Sequence, residues 1–335
     1  MSCILISGGF GYIGSHTATI LSEKNHKYVI VDNFSNCKRD IVDKIRKITK
    51  NKVCYYECDI RDTQSLINII NENKVTSVIH FAALKSVSES LMNPFEYYEV
   101  NVNGTISLLR AMKLTGVKKF LFSSSAAVYG EPDFCPIDEN HSLKPLNPYA
   151  QTKIIIESIL KDIYEAEKNW SVVCLRYFNP IGAHKSGLIG DDPLSGKSAN
   201  LMPEIIKVVK GSKDYLNIFG DDYPTPDGTG IRDYIHIMDL AEAHFKALDF
   251  IDKRNGISFF NIGTGKGVSV LELKKAFENV SGLNVSIKIS NRRQGDCAVC
   301  YANPKKANVM LKWKSKYDLK QMCESSWKFA NRNSK

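Results

Sequence analysis

Tyr149 and Lys153 stand four residues apart at the start of a helix-like stretch, Tyr149 to about Glu167, so their side chains share one helical face. Spacing alone does not single the pair out, because Tyr164 with Lys168 and Tyr301 with Lys305 repeat it and read as incidental surface pairs. What sets Tyr149 apart is Ser123, Ser124 and Ser125, which end a strand-like segment, with Ser125 lying 24 residues before the tyrosine. A serine, a tyrosine and a lysine brought together suit proton transfer at a carbon-bound hydroxyl. A free tyrosine has a pKa of about 10, so a base useful near neutrality requires lowering by about 3 units, equal to about 4 kcal/mol. The Lys153 ammonium supplies charge of the required sign.

Gly8, Gly11 and Gly14 form GxxGxxG between the strand-like Cys3 to Ser7 and a helix-like Tyr12 to about Lys24. Glycines there permit a tight turn and close backbone approach, and the helix N-terminus favours a pyrophosphate. Asp32 ends the second strand-like run 18 residues beyond Gly14, where a carboxylate accepts hydrogen bonds from an adenosine ribose and repels a 2′-phosphate. NAD is therefore expected rather than NADP, with Lys38 and Arg39 downstream as the contrary signal. Asp59 and Ile60 follow the third run, and Phe81, Ala82 and Ala83 the fourth, positions expected to line adenine and pyrophosphate. Lys85 is placed to neutralise phosphate charge.

Such placement requires a parallel sheet. Short apolar runs at Cys3 to Ser7, Tyr28 to Val31, Val53 to Glu57, Ser77 to Phe81, Lys119 to Phe122 and Val172 to Arg176 alternate with helix-like stretches. That alternation predicts an α/β, Rossmann-type doubly wound parallel sheet. Past about Asn179 the chain turns loop-rich, at Ala183 to Asn200 and at Gly220 to Asp233, and reads as a smaller, interleaved C-terminal substrate lobe. Ile257 to Ile262, followed by the glycine-rich Gly263 to Gly267, predicts a late strand rejoining the first sheet. The expected division is residues 1–178 for the dinucleotide and 179–335 mainly for the substrate, with segments near 234–245 and 257–265 returning to the first unit.

Composition agrees with a large soluble unit. In 335 residues, 43% hydrophobic and 24% charged residues speak against disorder, collagen and coiled coil. The glycine-interrupted start does not read as a signal peptide, and no run of about 18 apolar residues occurs, so a cytoplasmic protein without membrane contact is expected. Nine scattered cysteines suit reduced thiols; Cys297 and Cys300 form one CxxC without a second pair or an HxxxH nearby, so no metal is expected and packing is the simpler reading. The net charge of +9 is concentrated from Tyr301 to Lys335, without the aromatic or recognition-helix pattern of nucleic-acid binding. It reads as a solvated face.

Several motifs recur in order: GGFGYIGSH (Gly8 to His16), VIHFAALKSV (Val78 to Val87), FSSSAAVYG (Phe122 to Gly130), NPYAQTK (Asn147 to Lys153), LRYFNPIGAH (Leu175 to His184), NLMP (Asn200 to Pro203), DGTGIRDYIHIMDLA (Asp227 to Ala241) and RRQGD (Arg292 to Asp296). Together they resemble the extended short-chain dehydrogenase/reductase family nearly end to end. The resemblance implies reversible C4 epimerisation of UDP-glucose and UDP-galactose through a 4-keto sugar, with NAD held tightly and regenerated in each cycle. It implies Tyr149 as the base, Lys153 on the nicotinamide ribose and Ser125 on the reacting hydroxyl. It further implies Tyr12, Ile13, Asn33, Phe34, Ser35, Asn36, Asn101, Ser123, Tyr177 and Phe178 as cofactor contacts. For the UDP-hexose it implies Lys85, Asn179, Asn200, Leu201, Asn217, Ile218, Phe219, Arg232, Arg293, Asp296 and Cys300, the two arginines suiting a diphosphate as fixed donors. A homodimer packed through helices near Pro94 to Leu114 and Tyr149 to Lys168 is also implied.

Related dehydratases place an acidic residue directly after the catalytic serine or threonine, whereas Ala126 and Ala127 follow Ser125 here, which speaks against elimination. Some epimerases carry polar residues where Val100 and Ala127 stand; Asn101 is expected to supply the neighbouring polar contact. Cys300 occupies the place of a bulky tyrosine in some members, which implies room for a 2-acetamido group and use of the N-acetylated sugars, against a reading of packing alone. Two alternatives stay open: epimerisation of a UDP-uronic acid or pentose, and a non-catalytic NAD-binding regulator. Loss of Ser125, Tyr149 or Lys153 would favour the regulator.

Overall fold

A computed structural model describes residues 2–192, 200–293 and 295–332. Residues 193–199 of the turn-rich run, Gln294 of the RRQGD motif and the last three residues of the basic tail lie outside the described residues. Strands β1 (Cys3–Ser7), β2 (Lys27–Asp32), β3 (Tyr55–Glu57), β4 (Val75–His80), β5 (Lys119–Ser125) and β6 (Ser171–Tyr177) run parallel. After β7 (Asn179–Ile181), β8 (Leu216–Phe219), β9 (Ile231–Arg232) and β10 (Tyr234–His236), the chain returns as β11 (Gly256–Ile262), parallel to β6 along its whole length. The sheet order is β11-β6-β5-β4-β1-β2-β3. The order reverses between β1 and β4, the crevice where doubly wound sheets bind ligands at their carboxyl ends.

Side-chain alternation sorts the strand residues onto two faces, each covered by helices. Ile4, Ile6, Ile30, Ile79, Leu121, Val173, Leu175 and Phe260 pack on the face covered by helices Tyr12–Glu23 and Ile237–Ile251. Leu5, Val29, Val31, Val78, Phe120, Phe122, Val172 and Cys174 pack on the other, beneath helices Thr63–Asn73, Gly104–Leu114 and Pro148–Ala166. With both faces dry, these strands read in sequence as continuous apolar runs.

A separate core joins Ile181, Met202, Ile205, Leu216, Ile218, Leu273, Phe277 and Met322 between helices Leu201–Val209, Val270–Ser281 and Leu319–Arg332. Strands β12 (Val268–Ser269), β13 (Ile287–Ser290) and β14 (Val299–Cys300) complete small sheets there, with β9 between β12 and β14 and β8 beside β13. Among the described residues, no helix is long and apolar enough to cross a membrane.

Candidate active site

Asn147 caps the helix Pro148–Ala166 by accepting the Ala150 amide at 2.9 Å, and Pro148 occupies its first turn. That cap fixes where the helix begins, and so sets Tyr149 and Lys153 one turn apart on the face turned toward β5. The Lys153 ammonium donates to the Ser123 carbonyl at 2.9 Å and lies 5.7 Å from the Tyr149 ring centre. Ser125 stands near enough to the Tyr149 phenol to oppose the rise in its pKa. All three predicted catalytic residues therefore meet at the end of β5. Burial pushes the phenol's pKa up, opposed by the Ser125 hydroxyl; burial pushes Lys153 down to about 7, opposed by the Glu157 carboxylate. By contrast Lys168 pairs with Glu165 at 2.6 Å and lies over the Tyr164 ring, as an incidental surface pair does.

The residues expected at the cofactor lie mainly where β1, β2, β3 and β4 end. Gly8 has φ +68, and a Cβ on it would lie 2.5 Å from the Ala82 amide nitrogen; one on Gly14 would lie 2.4 Å from the Gly8 carbonyl. The glycines thus allow the ends of β1 and β4 and the helix to close around one another. Gly11 starts the helix without a side-chain cap, and its first turn holds no acidic residue, so backbone N–H donors are left for an anion. Tyr12 and Ile13 form that first turn; the Tyr12 hydroxyl donates to Gly182 at 2.7 Å. Asp32 is 8% exposed and accepts from Phe10 and Phe34 amides, each at 2.9 Å, against burial that raises its pKa. Asn33 donates to Asp59, and Phe34 stacks on Phe10 at 5.0 Å, while Ser35 and Asn36 are exposed.

Asp59 is held by Arg61 through Nε at 2.8 Å and Nη2 at 2.9 Å, and that guanidinium carries its pKa down to about 2. Ile60 is buried beside it. Phe81 and Ala82 leave β4 with their amides turned back to the Ser7 carbonyl, and Ala83 follows. Lys85 is exposed, 5.9 Å over the Tyr12 ring. Asn101 engages its whole amide internally, bonding both backbone groups of Leu84 and the Thr152 hydroxyl, so it fixes the loop ahead of Lys85. The Ser123 and Tyr177 hydroxyls bond each other, and Phe178 packs with Ala126, Cys297 and Cys300. These features fit a dinucleotide: a glycine cradle that a Cβ would fill, an uncapped helix start and a carboxylate at the end of β2.

The residues expected at the sugar nucleotide lie mainly on or beside the short strands β7, β8, β9 and β14. Arg293 pairs with Asp296 through two bonds at 3.1 and 3.0 Å and lies 5.4 Å over the Phe219 ring; Arg232 reaches the same carboxylate at 4.0 Å. Two guanidinium charges around one carboxylate leave a net positive site suited to a diphosphate. Asn179 is exposed at the start of β7, and Asn200 donates to Asp191 just before Leu201 opens its helix. Asn217 and Ile218 lie on β8, Ile218 buried in the core. Cys300 sits directly across the ladder from Arg232.

Sequence reading missed the supports. Glu157 and Arg176 form a buried bidentate pair, at 3.0 and 2.6 Å, that also binds Ser124 at 2.6 Å, beneath the reacting serine. Asp233 is fully buried and accepts from Thr264, Gly265 and Ala302, tying the loop after β11 to the chain after β14. Glu157 was visible as the residue one further turn along the Lys153 face; the partners of Asp233 are too distant in sequence to leave a signal. Among the described residues, no group of three or more His, Cys, Asp or Glu side chains is placed to hold a metal ion.

The pattern of the family described as GDP-mannose 4,6 dehydratase matches residues 5–326. The UDP-glucose 4-epimerase of Bacillus subtilis is 48% identical over 330 residues, 98% of this chain and 97% of that protein. The crystal structure of UDP-glucose 4-epimerase from Stenotrophomonas maltophila, with bound NAD and formylated UDP-arabinopyranose, is 44% identical with a TM-score of 0.97, covering 100% of this chain and 99% of that one. The enzyme from Bifidobacterium longum in complex with NAD+ and UDP is 43% identical with a TM-score of 0.96, covering 99% of each chain. With that sequence identity across nearly the whole length, and a Rossmann-type sheet carrying serine, tyrosine and lysine at its carboxyl edge, the chain belongs to the NAD-dependent UDP-glucose 4-epimerase family.

Proposed function

We propose that this protein interconverts UDP-glucose and UDP-galactose by inverting the sugar at C4 through a 4-keto intermediate. NAD, when bound, supplies a reversible hydride acceptor for C4. Gly8, Gly11, Gly14 and Asp32 hold it, with Asp59, Phe81 and Ala82 bordering its site. The Tyr149 phenolate takes the C4 hydroxyl proton and later returns it to the C4 oxygen once the carbon has been inverted, while Ser125 holds the same hydroxyl in line. Lys153 provides the positive charge that makes the phenolate accessible. Arg232 and Arg293 anchor the diphosphate, leaving the hexose free to turn over between the two transfers. The dinucleotide is assigned mainly to residues 1–178 and the sugar nucleotide mainly to 179–335, with segments near 234–245 and 257–265 on the dinucleotide side.

The observation that carries this reading is the gathering of the Tyr149 phenol, Ser125 and the Lys153 ammonium at the end of β5, the ammonium 5.7 Å from the phenol ring centre. Purified protein incubated separately with UDP-galactose and UDP-N-acetylgalactosamine, with the sugar nucleotides then resolved, tests it. Tyr149→Phe is expected to lower conversion about 10²- to 10⁴-fold; conversion at the wild-type rate would refute the assignment. Cys300, small and buried beside Arg232, supports use of both acetylated and non-acetylated sugars. Cys300→Tyr is expected to abolish only conversion of the acetylated pair, and equal loss of both would count against the gate. A homodimer through helices near Pro94 to Leu114 and Tyr149 to Lys168 is supported by exposed Leu91, Met92 and Phe95, the last 90% exposed. Sedimentation of Phe95→Asp as a monomer tests it. The working compartment is the cytoplasm.

A further inference from the structure

The face proposed for the sugar nucleotide carries sulfur that the epimerisation does not use. Cys297 and Cys300 stand either side of a bend leading into β14, only 8% and 9% exposed, packed with Ala126, Val128 and Phe178. The two thiols, three residues apart in the chain, share that packing. Arg232, the cross-strand neighbour of Cys300, interacts favourably with the negative form of both. A third thiol, Cys135, reaches in from the loop after β5 and donates to the Val299 carbonyl at 3.6 Å. The Cys300 thiol and the Arg232 charge draw Cys297 down to about 7, against burial and the nearby Asp296, while Cys300 is pushed up. One thiol is therefore ready as a nucleophile, and its neighbour stays protonated beside it, the arrangement of an attacking and a resolving cysteine.

We propose that Cys297 and Cys300 form a site of oxidative modification, at which a hydroperoxide arriving from the substrate face closes the dithiol into an intramolecular disulfide and shuts the hexose site. The Cys297 thiolate attacks the peroxide; the O–O bond breaks, an alcohol or water leaves, and Cys297 becomes a sulfenic acid. Cys300 then attacks that sulfur as it gives up its proton, forming the S–S bond and releasing water. Two thiols and one hydroperoxide yield one disulfide, one alcohol (water, if the oxidant is hydrogen peroxide) and one water, with two electrons passing from sulfur to oxygen.

The disulfide brings the sulfurs to about 2.05 Å, well inside thiol contact distance. Because Cys300 is laddered to Arg232, that movement is passed to the residues expected to hold the diphosphate and the sugar. Packed interiors do not absorb such a shift continuously, and misplacement of about 1 Å costs on the order of 10²-fold in rate. The thiol chemistry stands apart from the proposed activity, whereas the loss of turnover rests on it.

The test exposes the full-length protein to hydrogen peroxide, with and without UDP, and follows both the peptide Gln294 to Lys305 by mass and the conversion of UDP-galactose. The expected result is loss of both thiol hydrogens from that peptide and at least about tenfold lower conversion, both prevented by UDP and reversed by dithiothreitol. Cys297→Ser keeps the untreated rate and becomes resistant to peroxide; Cys135→Ser remains sensitive and still forms the disulfide. Oxidation that links Cys135 instead, or inactivation of Cys297→Ser at the wild-type rate, overturns the proposal. A protein with no epimerase activity would still report the disulfide by mass, so the two readings fail separately.

Discussion

Replacing Lys153 by methionine removes a buried charge and keeps a side chain of similar reach. At the 5.7 Å separation of its ammonium from the Tyr149 ring centre, an effective dielectric of about 20 gives about 3 kcal/mol, or about 2 pKa units on the phenol. The lysine's own pKa of about 7 makes this benefit depend on pH. Below pH 7 the ammonium is charged before the tyrosine ionises, and the full benefit is available. As pH rises the lysine loses its proton, and forming the phenolate must first draw that proton back, so the benefit fades. With the lysine shifting from about 7 to about 9 as the phenolate forms, wild type exceeds Lys153→Met by about 90-fold at pH 6, about 50-fold at pH 7, about 10-fold at pH 8 and about 2-fold at pH 9. The assay is the initial rate of UDP-galactose conversion at saturating sugar and NAD across that range. A further loss from weaker ribose binding multiplies every point equally and leaves the slope. A ratio that stays flat from pH 6 to pH 9 would refute the electrostatic reasoning.

Glu157→Gln leaves the Arg176 guanidinium, whose side chain is only 4% exposed, without its carboxylate, and is expected to cost about 3–5 kcal/mol in urea unfolding; an unchanged midpoint would contradict this. Gly14→Ala drives a methyl to 2.4 Å from the Gly8 carbonyl and is expected to weaken NAD at least tenfold in a fluorescence titration; wild-type affinity would show that the loop has slack. Burial pushes His16 and His80 down to about 3 and His184, His236 and His244 down to about 4. Each is neutral when folded and takes a proton below about pH 6.5 when unfolded, so stability falls as pH drops from 6.5 toward the folded values, by at most about 2 kcal/mol per histidine at pH 5. Urea midpoints that do not move between pH 7 and pH 5 would exclude this.

The sheet was legible because strands buried on both faces must be apolar throughout, which separates Val29 to Val31 or Val172 to Cys174 from the helices around them. The pairing of Tyr149 with Lys153 was legible because Asn147 and Pro148 announce where their helix starts. The residues that support them were hidden by distance along the chain. Arg176 meets Glu157 only because β6 lies beside β5, and Asp233 finds its donors only once β9, β11 and β14 converge. Asn101, a cofactor contact that the resemblance implies, also carries a supporting role no motif showed: its amide bonds Leu84 and Thr152, which only the fold brings beside it.

β11 forms from residues 256–262 and covers β6, whose seven residues are all buried in the finished molecule. During synthesis, the piece that reads as a self-contained nucleotide binder leaves the ribosome with one flank raw, its backbone amides and carbonyls unpaired until most of the chain has followed. A fragment ending at residue 178 is therefore a poor candidate for expression, and the newborn protein passes through a sticky stage that chaperones are suited to guard.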